Sequence, residues 1–228
     1  MKFKSQVYTA VSGSIGGITY SHNKGGLYTR GRATPTNPAS PQQVVVRNAV
    51  AQLTSRWTAV LTAAQRAAWA SYADAVLIPD AFGDPRKIPA LSHYVRSNVP
   101  RIQSALSIID AGPTEPTLPT MSDQSFIPDV SSTNVSITFV NTDEWAGEVG
   151  GALLVLASRS QVVGITSWKG PYRYAGKISG AVTPPTSPQV IALPFPVVLD
   201  QRTFFQTRCV RADGRVSSPF RAFGVGVA

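Results

Sequence analysis

Cysteine is nearly absent from this chain. The 228 residues contain one, Cys209, which excludes an internal disulfide and a cysteine-based zinc site. Histidine is almost as scarce. His22 and His93 are the only two, and they leave little for metal ligation or acid–base chemistry. Charged residues make up 14%, against about 25% in an average protein, while hydrophobic residues reach 43%. That balance excludes a charge-rich disordered chain and supplies enough apolar material for a core. No apolar run approaches the roughly 18 residues of a membrane span, and the stretch 151–157 is only strand-sized. The basic opening Met1-Lys2-Phe3-Lys4-Ser5-Gln6 is not followed by the apolar core of a signal peptide.

Acids are missing from the first third of the chain. The first is Asp74, and before it stand Lys2, Lys4, Lys24, Arg30, Arg32, Arg47, Arg56 and Arg66. The net charge of +9 therefore sits almost wholly in the first half. Such a segment suits a polyanion or an acidic protein surface. Its bases are spread singly, however, and a nucleic-acid arm concentrates them. Protein–protein contact or plain solvation is the favoured expectation, with nucleic acid the lesser one.

Three compositional zones follow one another, and they predict an α+β chain in parts. Residues 1–40 are rich in Gly, Ser and Thr. Within them Ile18-Thr19-Tyr20-Ser21-His22 and Leu27-Tyr28-Thr29-Arg30 alternate apolar and polar residues around the turn signal Asn23-Lys24-Gly25-Gly26. This predicts an extended arm with a β-hairpin, which is marginal in water unless its edges pair with the rest of the chain or with another subunit. A Pro-restricted connector leads out of it. Residues 41–110 predict a small helical domain. Val46, Val50, Leu53, Trp57 and Val60 recur at helical steps, Thr62 with Gln65 forms a capping box, and a helix from about 89 to 98 is interrupted at Pro100. Residues 111–125 carry Pro113, Pro116 and Pro119 and predict a linker. Residues 126–228 predict an antiparallel β-sandwich of about seven strands. Lacking a cysteine pair, it is expected to be of the fibronectin-III/Ig-like, disulfide-free kind. Strands are expected at 135–140, 152–157, 162–168, 172–178, 190–199, 203–212 and 221–227.

Candidate chemistry is thin. Gly13-Ser14-Ile15-Gly16-Gly17 has the composition of a phosphate loop, but it leads into a strand where such a site needs a helix. His22 has no acid nearby in sequence to orient it as a base. Cys209 lies mid-strand on the face of Phe205 and Thr207, which predicts a buried, inert thiol. His93 is expected to be a satisfied core residue, and Asp143 and Glu144 to be loop residues. Trp57 and Trp69 sit at core-like helical spacing. No catalytic residue, cofactor site or metal site is expected, and no enzyme.

The string from Ser12 through Gly16-Gly17, Tyr20, His22, Asn23-Lys24-Gly25-Gly26 and Tyr28 to Arg30 continues to Pro35-Thr36-Asn37-Pro38. Helices carrying Gln42, Arg47, Trp57, Leu61-Thr62, Gln65-Arg66 and Trp69 follow. This pattern resembles a group of uncharacterised tailed-bacteriophage virion structural proteins. They share the glycine-rich hairpin, the Asn-Pro connector and the Trp-containing helical pair. The second half resembles fibronectin-III-like modules carried by virion proteins. The resemblance implies a structural virion protein: capsid-associated, decorating, or a head–tail or tail component. Its partners would be major capsid, connector or tail subunits, in a homo-oligomeric or symmetric multi-copy assembly. No membrane is implied.

The expected docking residues are Tyr20, His22, Lys24, Tyr28, Arg30 and Arg32. An alternative expectation is a host-surface or glycan-binding module, in which exposed Trp145, Trp168, Tyr172 and Tyr174 on the sandwich stack against sugar rings.

Overall fold

The computed structural model describes residues 12–33, 39–80 and 83–228. The opening residues and much of the Pro-rich connector, on which part of the arm expectation falls, lie outside them. Gly16 and Gly17 both take positive φ, 58° and 81°. Only glycine adopts this conformation without strain, and two such residues make the primed turn that matches strand twist. That turn joins β1 (Gly13–Ile15) to β2 (Ile18–Asn23), and Lys24-Gly25 joins β2 to β3 (Gly26–Gly31). The Asn23 side-chain oxygen accepts the Gly25 N–H at 2.8 Å, which fixes the second turn. The hairpin is therefore a three-stranded antiparallel sheet, β1-β2-β3. The extra strand was hidden in what composition alone presents as a flexible glycine stretch.

Residues 1–41 and 42–228 are two compact units, and this sheet belongs to the first. In the second, three helices come first: α1 (Pro41–Ala59), α2 (Ala63–Ala75) and α3 (Ala90–Gln103). A short pair, β4 (Ile78–Pro79) and β5 (Pro85–Arg86), separates α2 from α3. The Thr62 hydroxyl accepts the Gln65 N–H while the Gln65 side chain accepts the Thr62 N–H, so the expected capping box starts α2. Leu53, Leu61, Trp69, Tyr72, Val76 and Tyr94 form the helical core.

The face of α1 is rotated from the sequence expectation. Ala49 and Leu53 are buried, whereas Val50 and Val60 are 39% and 53% exposed. Pro100 does not end α3 either. It stands one turn before the end, where its missing N–H costs a single helical bond.

The remaining seven strands form two antiparallel sheets. Their ranges are β6 (Ser125–Asp129), β7 (Asn134–Thr138), β8 (Ala152–Ala157), β9 (Arg173–Ser179), β10 (Gln189–Ala192), β11 (Arg202–Val210) and β12 (Phe220–Val225). Their orders are β10-β7-β6 and β12-β11-β8-β9. The result is the three-on-four sandwich expected of a fibronectin-III/Ig-like module. Phe126, Val135, Ile137, Leu153, Val155, Ile178, Phe205 and Cys209 fill the space between the sheets. Residues 162–168 are loop rather than strand, and β10 covers only the start of its expected run.

Helices and sandwich are not separated by a free linker, because residues 42–228 are one unit. Arg101 is 2% exposed and reaches from α3 to the carbonyls of Ser107 (2.7 Å), Arg211 (2.8 Å) and Gly150 (3.3 Å). Arg96 donates to the Val216 and Ser217 carbonyls at 3.0 and 3.2 Å. The Pro-rich stretch 111–125 packs between the two cores: Leu118 joins the helical core and Met121 the sandwich core. Arg215 pins the same stretch through Glu115 and Thr117. A proline-rich segment can be held as firmly as any other when its side chains are buried.

Candidate functional site

Strand alternation and register decide what each face of the N-terminal sheet offers. Tyr20 pairs with Thr29 and Gly13, Ile18 with Ile15 and Gly31, and His22 with Leu27. Ile15, Ile18, Tyr20, His22, Leu27 and Thr29 therefore share one face. Thr19 pairs with Arg30 and Ser14, and Ser21 with Tyr28, so these residues share the other face. The Ser14 and Thr19 hydroxyls hydrogen-bond across that second face at 2.8 Å.

The six expected docking residues are thus not gathered on one surface. Tyr20 and His22 lie on an apolar face with three aliphatic side chains. Tyr28 and Arg30 lie on a polar, cationic one. Lys24 stands in the turn and Arg32 just beyond β3. No described residue from 12 to 33 is buried, and Ile15 and Ile18 are 77% and 42% exposed. The aliphatic members Ile15, Ile18 and Leu27 were missing from the sequence expectation, and the alternation itself could have found them.

The second unit has an exposed apolar surface of its own. The first half of α1 carries Val44, Val45 and Val50, each 38–44% exposed. Valines here point in several directions around the helix, unlike a surface helix that buries one stripe.

The four aromatic residues expected on the sandwich divide. Trp145 is 1% exposed and belongs to the core, so its expected exposure is corrected. Beside the loop carrying it, the chain at Gly151 and Gly180 passes too close to leave room for a side chain. A Cβ on Gly180 would lie 2.1 Å from the Trp145 carbonyl oxygen, and one on Gly151 2.5 Å from the same atom. The Trp145 ring is set against Phe139 at 5.4 Å, and its N–H donates to Asp143 at 3.3 Å. Trp168, Tyr172 and Tyr174 are half-buried. Trp168 lies over Phe204 with rings 6.3 Å apart and 21° from parallel, and the Tyr172 hydroxyl donates to the Trp168 carbonyl at 2.8 Å.

The other chemistry-bearing groups have structural surroundings. Cys209 is fully buried, burial pushes its thiol up, and the thiol donates weakly to the Thr120 carbonyl at 3.8 Å. Asp143 accepts from Ser122 and Trp145, while Glu144 and Glu148 pair with Arg211. His93 is fully buried against Tyr72, but it is not the satisfied core residue expected. Neither ring nitrogen makes a hydrogen bond of good geometry, the Val76 backbone offering only a weak contact, and the Tyr72 and Ser97 hydroxyls are likewise unpartnered. Burial, and secondarily Arg96, lowers its pKa to about 4, so its ring is neutral near pH 7. Among the described residues no group of three or more His, Cys, Asp or Glu side chains could hold a metal ion, and no helix is long and apolar enough to cross a membrane.

No protein-family model matches the chain, and no curated protein does. A solved structure, the adhesin domain of Epf from Streptococcus pyogenes, aligns at 11% identity over 49% of this chain and 33% of that one, with a TM-score of 0.32. A likeness at that level carries no argument about this chain.

Proposed function

We propose that the chain is a non-enzymatic structural subunit of a bacteriophage particle, capsid-associated, decorating or in the head–tail region or tail. It docks on neighbouring virion proteins through the apolar face of β1-β2-β3 and the first half of α1. The observation that supports this most is a hydrogen-bonded sheet with one apolar face and no buried residue among those described. Ordering backbone costs about 1–2 kcal/mol per residue, and apolar burial returns about 25 cal/mol per Å². Covering Ile15, Ile18, Tyr20 and Leu27 against a neighbour is the term that offsets the ordering cost. The likeness of residues 12–73 to tailed-phage virion proteins supports the setting, and the acid-free stretch suits a neutral or acidic docking surface.

The three buried clusters of the second unit lie wholly within residues 42–228, so that unit carries its own core. A chain lacking residues 1–40, and an Ile15→Asp/Ile18→Asp variant of the full chain, are therefore expected to keep the thermal transition of the parent. Both are expected to be lost from purified particles at least tenfold, measured by quantitative mass spectrometry. Incorporation of either at the parent's stoichiometry would refute docking through this sheet.

A further inference from the structure

The outward face of the four-stranded sheet carries cations that no acid among the described residues neutralises. Alternation turns Phe205, Thr207 and Cys209 inward and Phe204, Gln206 and Arg208 outward. Register lays the outward residues in rows, with Arg208 beside Leu154 and Lys177, and Arg221 beside Gln206, Leu156 and Tyr174. Arg208 and Arg221 are diagonal neighbours on adjacent strands, about 7–8 Å apart. Arg96 approaches from α3. Arg96 and Arg208 both have a guanidinium pKa pushed below its ordinary value, first by burial and then by the next arginine, Arg208 and Arg221 respectively. No Asp or Glu occupies an outward position on β8, β9, β11 or β12.

The hydrogen bonds of these cations are unequal. Arg96 is satisfied by two backbone carbonyls, and Lys177 by the Ser104 carbonyl at 2.7 Å. Arg221 reaches only Gln206, at 3.2 Å. The Arg208 guanidinium bonds to no described residue, and its Nε is buried without a partner. A half-buried, unpaired guanidinium among like charges is costly, and an external anion removes that cost. Further along the same face the surface becomes aromatic, with Trp168 lying flat over Phe204 and Phe223 45% exposed.

We propose that this face binds an acidic polysaccharide, Arg208 and Arg221 taking the carboxylates of uronic-acid-type sugars while Trp168 and Tyr174 lie against the sugar rings. An unpaired Arg208 and an Arg221 held only by the Gln206 side chain, one diagonal apart, fit carboxylates on neighbouring sugars. A nucleic-acid track needs a longer run of cations to follow its phosphates. The Trp168 ring, held nearly parallel to Phe204, suits the broad apolar face of a pyranose. The inference does not use the N-terminal sheet, so it stands or falls separately from docking.

The test uses the full chain and three carboxylated probes, namely oligogalacturonate, oligomannuronate and oligosialic acid. Methyl-esterified oligogalacturonate and an oligodeoxynucleotide of equal charge serve as comparisons, with binding read by calorimetry. At least one acidic oligosaccharide is expected to bind. Esterification is expected to abolish binding, and Arg208→Gln, Arg221→Gln and Trp168→Ala each to weaken it about tenfold. Arg221 is exposed at the sheet edge, so Arg221→Gln keeps the fold if Arg208→Gln does not. Failure of all three acidic probes, equal binding of the ester, or tighter binding of the oligodeoxynucleotide would each overturn the proposal.

Discussion

Asp110 ties the three helices together, and replacing it by alanine should cost about 2–4 kcal/mol. Its carboxylate takes a two-pronged contact from Arg56 of α1, at 2.8 Å from Nε and 2.5 Å from Nη2. The same carboxylate accepts the Tyr94 hydroxyl of α3 at 3.0 Å. Its backbone carbonyl accepts the Trp69 indole N–H of α2 at 2.9 Å, a contact that side-chain replacement leaves in place. Arg56 and Asp110 are 34% and 21% exposed, so solvent screens their fork, which is worth about 1 kcal/mol. Tyr94 is fully buried, so its stranded hydroxyl adds about 1–3 kcal/mol.

The two parts are separable. In a Tyr94→Phe background no hydroxyl is stranded, and Asp110→Ala should then cost only the fork, about 1 kcal/mol. Asp110→Asn keeps an acceptor for Tyr94 and should fall between. Urea unfolding of the four chains of the cycle, followed by tryptophan fluorescence, measures the coupling. The Arg56 contact, and then that of Tyr94, holds the Asp110 pKa below its ordinary 3.8. The unfolded chain therefore binds the proton first, so this contribution is full above about pH 4 and fades as pH falls further. An equal cost of Asp110→Ala in both backgrounds would refute the reasoning.

Two further predictions concern single positions. His93, held at about 4 against an ordinary 6.5, binds its proton less readily folded than unfolded, so its contribution is full above pH 6.5 and is lost as pH falls toward 4. Between pH 7 and 5 the parent should lose about 2 kcal/mol more than His93→Phe, and parallel pH profiles in urea unfolding would contradict this. Gly180→Ala would force a Cβ against the Trp145 and Glu148 carbonyls and should cost about 2–3 kcal/mol, whereas Gly164→Ala, with nothing within 4 Å, should be neutral. Equal thermal transitions for the two variants would show that the Trp145 loop is not held by this close approach.

Local signals in the sequence gave local structure. The Thr62–Gln65 capping box, the hairpin turn after Asn23 and the inward Cys209 needed only neighbours a few residues away. Alternation along β2 and β3 was legible as well, but which residues share a face across the sheet follows from the strand register. Alternation does not say which face is covered, and Trp145, expected at the surface, is buried. The burial of Trp145 depends on Gly151 and Gly180, which are brought against it by strands β8 and β9. The joining of helices to sandwich was equally hidden. Arg96 and Arg101 bind backbone carbonyls as much as 110 or more positions away, and any residue type supplies a carbonyl. The diagonal closeness of Arg208 and Arg221 comes from strand register, since the two stand 13 residues apart in sequence and on different strands.

Amide hydrogen exchange across residues 18–31, compared between dilute isolated chain and purified particles, bears most directly on whether the N-terminal sheet takes its shape from its neighbours. The account predicts near-unprotected exchange in the isolated chain and protection at least a hundredfold greater in particles, with the amides of β7, β8 and β11 protected in both. Equal, strong protection of residues 18–31 in the isolated chain would contradict it.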